Sequence, residues 1–267
     1  MTGTAYTKRK DMNSNTRNNM SGFPGDFGNI GFKDIEKANF LRRIDTKYVF
    51  DLNYLPSVLD NLSSDYLLVD FNGVTSQFYQ TSYFDTKDYW FYTQHHNGIK
   101  NRYKVRFRTY MDSNISFLEV KHKTNRKETI KSRLKQQKAT FDLGAEQNQF
   151  INSKLDFVPK ELYPSLENSF HRITLVSKNL DERITIDTNL IVKDTRNQLE
   201  QKFSKLCIIE TKRDFHLKNT VSSKSFLAHR IKSSGFSKYC MGLALVNPAI
   251  KKNLFKPRLI GFKSILN

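Results

Sequence analysis

Residues 103–110, YKVRFRTY, place three cations on one side of an extended chain. Side chains along a strand alternate between two faces, so Lys104, Arg106 and Arg108 share one face and Tyr103, Val105 and Phe107 the other. The pattern recurs. SFLEVKHK sets Phe117, Glu119, Lys121 and Lys123 against Leu118, Val120 and His122. RITIDT sets Arg183, Thr185 and Asp187 against Ile184 and Ile186, and KLCIIETK sets Ile208, Glu210 and Lys212 against Cys207, Ile209 and Thr211. HRITL opens in the same way at Arg172. Strands with one apolar side belong to an antiparallel sheet covered on one face. The uncovered face is the unusual one: mostly Lys and Arg, with a single carboxylate beside a lysine in LEVK and in IIETK.

Three arrangements suit such a face. It is a solvated surface, the lumen of a barrel whose helices cover the apolar outside, or an open platform for nucleic acid. A cationic lumen repels itself unless a polyanion and water fill it. A nucleic-acid platform needs phosphate-binding cations and stacking aromatics. Periodicity alone leaves all three open. The charge balance narrows the partner in every case: 44 Lys plus Arg against 26 Asp plus Glu is a net +18, which calls for an anion.

The chain of 267 residues is long enough to bury a sizeable core. Cys207 and Cys240 stand in apolar surroundings and are expected in that core, not in a disulfide framework. Tyr48, Tyr83, Phe84, Trp90 and Tyr103 are likewise expected to pack. No stretch approaches the roughly 18 apolar residues of a membrane span, and the N-terminus has cations without an apolar core, so a cytoplasmic protein is expected. Residues 1–29 read as a flexible leader, 30–250 as one domain and 251–267 as a basic tail packed on the surface, weak membrane contact being the alternative.

A short helix is expected within 30–42 and another beginning near Pro56. Asn97-Gly98 reads as a two-residue turn. Residues 143–170 read as helical pieces broken by Pro159 and Pro164. SSKSFLAHRIKSSGF reads as a helix with a serine N-cap and Gly235 near its end.

RIDTKYVF, YFDT, NGIKNRYKVRFRTY, FLEVKHKT, ETIKSR, HRITL, RITIDTNL, IIETKRD and FSKYCMG follow one another between about 40 and 247. In this order they resemble the VTC domain, the polyphosphate polymerase family of the triphosphate tunnel (CYTH-like) superfamily, in its short bacterial form. The resemblance implies an α+β fold: an antiparallel β-barrel with helices packed outside and a lumen lined by Lys, Arg and Glu. It implies transfer of the ATP γ-phosphate to a growing inorganic polyphosphate chain with Mn²⁺ or Mg²⁺. ATP and polyphosphate are then the partners, nucleic acid is disfavoured, and a membrane partner stays open.

Residue by residue, the family's tunnel cations fall on Lys47, Arg106, Arg108, Lys121, Lys131, Arg133, Arg172, Arg183, Lys212 and Lys238. The metal carboxylate falls on Glu210, and Glu119 and Asp187 are lesser candidates. This chain departs from the pattern in three places. His95, in QHHNG, stands near a family arginine and is taken as its replacement. Gly235 stands where the first Lys of K-F-S-K is expected. The acid-rich signature of the superfamily's hydrolases is absent, DIEKANF supplying only Glu36. A triphosphate or polyphosphate hydrolase on the same barrel, or a non-catalytic polyanion-binding module, are the alternatives.

Overall fold

The computed structural model describes residues 26–37, 43–126, 128–140, 142–159 and 161–266. Most of the expected leader, residues 1–25, and the end of the first expected helix, 38–42, lie outside the described residues. β1 (Gly28–Gly31) runs into a 3-10 turn, Phe32–Lys37. β2 (Arg43–Asp51) leads through a second such turn to α1 (Leu55–Asp60), with Pro56 in its first turn as expected. β3 (Tyr66–Asp70) and β4 (Ser76–Asp85) precede α2 (Trp90–His96). β5 (Arg102–Tyr110), β6 (Ile115–Lys123) and β7 (Thr129–Gln136) form a meander, followed by α3 (Ala145–Asn152). The long β8 (Tyr163–Ser177) and β9 (Glu182–Asp194) are followed by β10 (Glu200–Phe203) and β11 (Leu206–Asp214). α4 (Val221–Ala228), α5 (Lys238–Val246), α6 (Lys256–Gly261) and α7 (Lys263–Leu266) complete the fold.

One antiparallel path runs β2-β11-β9-β8-β4-β5-β6-β7, with β10 added to β9, β3 to β8, and β1 parallel to β3. The fold is thus α+β with a large, mainly antiparallel sheet. Closure into the expected barrel is not shown: among the described residues β2 and β7 end the path and no ladder joins them. The sheet nevertheless curls. Five strand steps separate β6 from β11, about 24 Å across a flat sheet at ~4.8 Å per step. Lys121 on β6 nonetheless lies near enough to Glu210 on β11 and Lys47 on β2 for both charges to act on its ammonium. The charged face lines a trough.

The apolar faces do what their periodicity asks. Val105, Phe107, Leu118 and Val120 pack beneath α3, and Ile173, Leu175, Ile184, Ile186, Cys207 and Ile209 pack with α1 and α4. Both cysteines are free and buried. Tyr83, Phe84 and Tyr103 are buried, Tyr48 stacks on Phe226 at 4.1 Å, and Trp90 meets Phe157 at 4.7 Å.

The expectation of helices on the outside only is corrected, because α5 lies within the trough. Its sequence after Lys238, YCMGLALV, is apolar on every side, the mark of a wholly buried helix. A Cβ on Gly242 would stand 3.1 Å from side-chain atoms of both Leu166 and Val192, so glycine suits this close approach of the helix to β8 and β9 and a larger residue would push those side chains aside. Ser237 caps α5 by accepting from the Cys240 N–H at 3.2 Å.

Asn97-Gly98 turns as expected, at the end of α2, a helix that the carboxylate of Asp85 starts by accepting from the N–H groups of Phe91 and Tyr92. Two local expectations give way. Pro164 sits inside β8, not between helices, so only α3 survives of the helical pieces in 143–170. The helix read up to Gly235 stops at Ala228, capped by Thr220 and not by a serine. Arg230 takes a left-handed φ of 56°, and the chain beyond it leaves the helix axis. The tail packs: Phe255, Ile265 and Leu266 are buried in the core around α5.

Candidate active site

Ladder registers align the cations across the trough. Lys47 faces Glu210, Lys212 faces Arg183, and Arg172 faces Asp187. On the other wall Arg106 faces both Tyr83 and Glu119, Lys104 faces Lys121, Glu119 faces Arg133, and Lys121 faces Lys131. The tunnel cations expected on strands therefore fall on one continuous face. Lys238 joins them from the first turn of α5.

The three carboxylates act as hubs. Asp187, buried, accepts from Arg172 Nε at 2.5 Å and Nη2 at 2.7 Å, and also from Lys238 Nζ. Burial works to raise its pKa, but Arg172 and Lys238 pull it down to about 2. Glu119, 1% exposed, accepts from Arg106 Nε at 2.7 Å and ion-pairs with Lys131 at 2.6 Å and Arg133 at 3.1 Å. Burial opposes its ionisation, yet Arg106, Arg108 and Lys131 hold it well below the usual carboxylate range. Glu210 pairs with Lys47 and, at 3.6 Å, with Lys212; these cations and Arg172 outweigh burial and hold it ionised.

Arg108, Lys121 and Arg183 make no ion pair among the described residues. Arg108 is buried, and its Nε has no hydrogen-bond acceptor. Its guanidinium lies over the ring of Tyr79 at 5.5 Å, with Arg172 against the same ring at 5.1 Å. Lys121 and Lys131 reach the water of the trough. Burial of their stems, then the charges of Lys104 and Arg106, lowers Lys121 to about 8. Burial also takes Lys131 down to about 7, with Glu119 opposing and Arg106 reinforcing the shift. Arg183 pairs with no carboxylate in this set, and burial lowers its pKa, as the neighbouring Arg43 does.

His95 is placed differently. It sits on α2 with Nδ1 3.1 Å from the Cys240 sulfur. Burial, with Lys104, Arg102, Arg258 and Lys123, drives it down to about 2, so it is neutral and brings no charge to the cationic face. Lys104 is the cation passed over in the sequence-based site. It lies on the Arg106–Arg108 face, and its Nζ donates to Ser237 Oγ at 2.7 Å. The alternation of YKVRFRTY already placed it there.

Residues 233–238 cross the trough. Tyr48 on β2 bridges Ser233, Ser234 N–H donates to the Lys47 carbonyl at 2.7 Å, Ser237 meets Lys104 on β5, and Lys238 meets Asp187 on β9. This strap ties β2 to β5 where no ladder does.

A model of the VTC domain matches residues 42–247. The chain belongs to the VTC-domain family. Membership of that family implies phosphate substrates. No curated protein matches the sequence. Among solved structures, a Pyrococcus horikoshii OT3 protein is similar at 10% identity, covering 76% of this chain and 98% of its own, with a TM-score of 0.39. A conserved hypothetical protein from Pyrococcus furiosus has 11% identity, coverages of 79% and 99%, and a TM-score of 0.33. An adenylyl cyclase candidate from Hippeastrum with a dominant triphosphatase activity has 12% identity, coverages of 79% and 98%, and a TM-score of 0.39. Scores this low leave the VTC match to carry the assignment. Among the described residues no helix is long and apolar enough to cross a membrane.

Proposed function

We propose that this VTC-domain protein is an ATP-dependent polyphosphate polymerase, moving the ATP γ-phosphate onto a polyphosphate chain held in the trough. The observation that carries the reading is Arg108. A buried guanidinium that makes no ion pair among the described residues and has an unbonded Nε is costly unless an anion meets it. It lies in a row with Arg106 and Lys104, and a linear polyanion supplies charge along such a row.

Phosphoryl transfer needs in-line positioning and neutralisation of charge on the transferred group. Arg106, Arg108 and Arg172 offer planar forks to phosphate oxygens, while Lys121, Lys131 and Lys212 offer movable point charges. The carboxylates of Asp187 and Glu119 fix Arg172 and Arg106 before substrate arrives, so little reorganisation remains. A phosphate acceptor is already anionic near neutral pH, so no general base is required.

For a Mn²⁺ or Mg²⁺ ion the donor set is sparse. No cluster of three His, Cys, Asp or Glu occurs among the described residues. Glu210 is held ionised, and its side chain stays 17% exposed, which suits a hard cation that takes its other ligands from phosphate oxygens and water. Glu210, now paired with Lys47 and Lys212, would hold such an ion, which would supply charge neutralisation on the phosphates.

The test is incubation of the protein with ATP and Mn²⁺, wild type beside Glu210→Ala, with products sized on a gel stained for polyphosphate. A ladder from the wild type alone is expected. Free phosphate from tripolyphosphate without a ladder makes the protein a hydrolase. Polyphosphate binding with neither product makes it a binding module.

A further inference from the structure

Gly235 leaves a gap in the strap between Ser234, which is tied to β2, and Ser237, which holds Lys104. The gap is filled from elsewhere. A Cβ built on Gly235 would meet the guanidinium of Arg258, with Cζ and Nη1 at 3.6 Å and Nη2 at 3.7 Å. Arg258 comes from α6, outside the 42–247 match. It is exposed, and its side chain makes no ion pair among the described residues. Nor is it isolated from the trough: Arg258, Arg102 and Lys104 all act on the same neutral His95. With Lys123, four cations thus act on one uncharged ring, which can ease their repulsion only as a dipole.

We propose that Arg258 extends the cationic track beyond Lys104 and Ser237, taking the part of a long polyphosphate chain that emerges from the trough. The proposal rests on the phosphate reading of the trough. Physically, Arg258 takes the place of a side chain at position 235: the bare glycine lets a guanidinium lie against the strap, and a lysine at 235 would send its ammonium into the same space. No left-handed backbone angle bars such a lysine, since Gly235 is not among the positive-φ glycines. The tail then has a task beyond covering α5. Phe255, Ile265 and Leu266 anchor it in the core and so fix where Arg258 stands.

The experiment is calorimetric titration of the full chain with long-chain polyphosphate and with tripolyphosphate, comparing wild type, Arg258→Ala, Arg258→Lys and Arg258→Ala/Gly235→Lys. Circular dichroism checks that each variant is folded. Arg258→Ala is expected to weaken the long chain about fivefold, an exposed charge contact being worth less than a buried one, and to weaken tripolyphosphate less. Arg258→Lys should retain most of the long-chain affinity, and the double variant should regain it. Unchanged long-chain affinity in Arg258→Ala overturns the proposal, as does an equal loss for both ligands. If Arg258→Lys and the double variant, both folded, bind as weakly as Arg258→Ala, charge at this place is not what matters. A wild type that binds neither ligand removes the phosphate reading itself, and with it this one.

Discussion

The two walls of the trough handle the same cations in different ways. On the β8–β9 wall Asp187 holds Arg172 and Lys238 out of water, with aromatic rings filling the space: Lys238 Nζ lies 4.3 Å from the centre of Phe170. On the β6–β7 wall Glu119 is as deeply buried, but its partners Lys131 and Arg133 lie in an exposed strand. The first wall is a fixed ion network. The second is a hydrated row whose lysines can change their protonation. The contrast shows how one chain keeps a cationic cavity folded and still leaves part of it responsive to an anion.

The harshest way to break this comparison is Asp187→Asn. It leaves Arg172 and Lys238 buried and unpaired, and a loss of about 3–5 kcal/mol in unfolding free energy is expected from denaturant titration. Arg108→Ala, between the walls, removes a cation that makes no ion pair among the described residues. The fold should persist by circular dichroism while polyphosphate synthesis falls by about 100-fold, roughly 2.7 kcal/mol of lost transition-state stabilisation. Glu119→Gln should cost less than Asp187→Asn, about 1–3 kcal/mol, because water can solvate Lys131 and Arg133. Equal losses for the two variants would mean the walls are not different.

The smallest effect concerns pH. Lys121 and Lys131 have pKa values lowered to about 8 and about 7 in the free protein, below the ordinary lysine value of 10.5. A bound phosphate chain favours their charged forms and raises those values again. Binding therefore takes up protons, and tripolyphosphate affinity should fall as pH rises from about 7 to 9. Calorimetry in two buffers of different ionisation heat reads the uptake directly. Lys121→Arg, which stays charged, should flatten the dependence. For stability the sign is opposite: the depressed lysines disfavour the folded state below about 7, and this cost fades as pH climbs towards 10.5.

Strand faces were legible from the residues because a period of two is local. YKVRFRTY, LEVK and IIETK each declare their cationic side without knowledge of a neighbour, and the order of the motifs declares the family. The helix at Trp90–His96 was hidden because its start depends on Asp85, whose carboxylate caps it from the end of β4. The extended chain through Pro164 was hidden for a similar reason: pairing with β4, where Pro164 meets Phe84, overrides a residue that breaks helices and usually avoids strands. His95 looked like a cation in an arginine's place; only the crowd of real cations around it and its burial make it neutral.

By itself the sequence determined the two-faced strands and the excess of Lys and Arg on one face. These follow from periodicity and solvation, which act on neighbours along the chain. The tertiary structure decided that the apolar helix enters the trough, that a strap and not a ladder links β2 with β5, and that Arg258 fills the space above Gly235. Such outcomes depend on which distant segments come within a few ångströms of each other, and on which cations then find a carboxylate within reach.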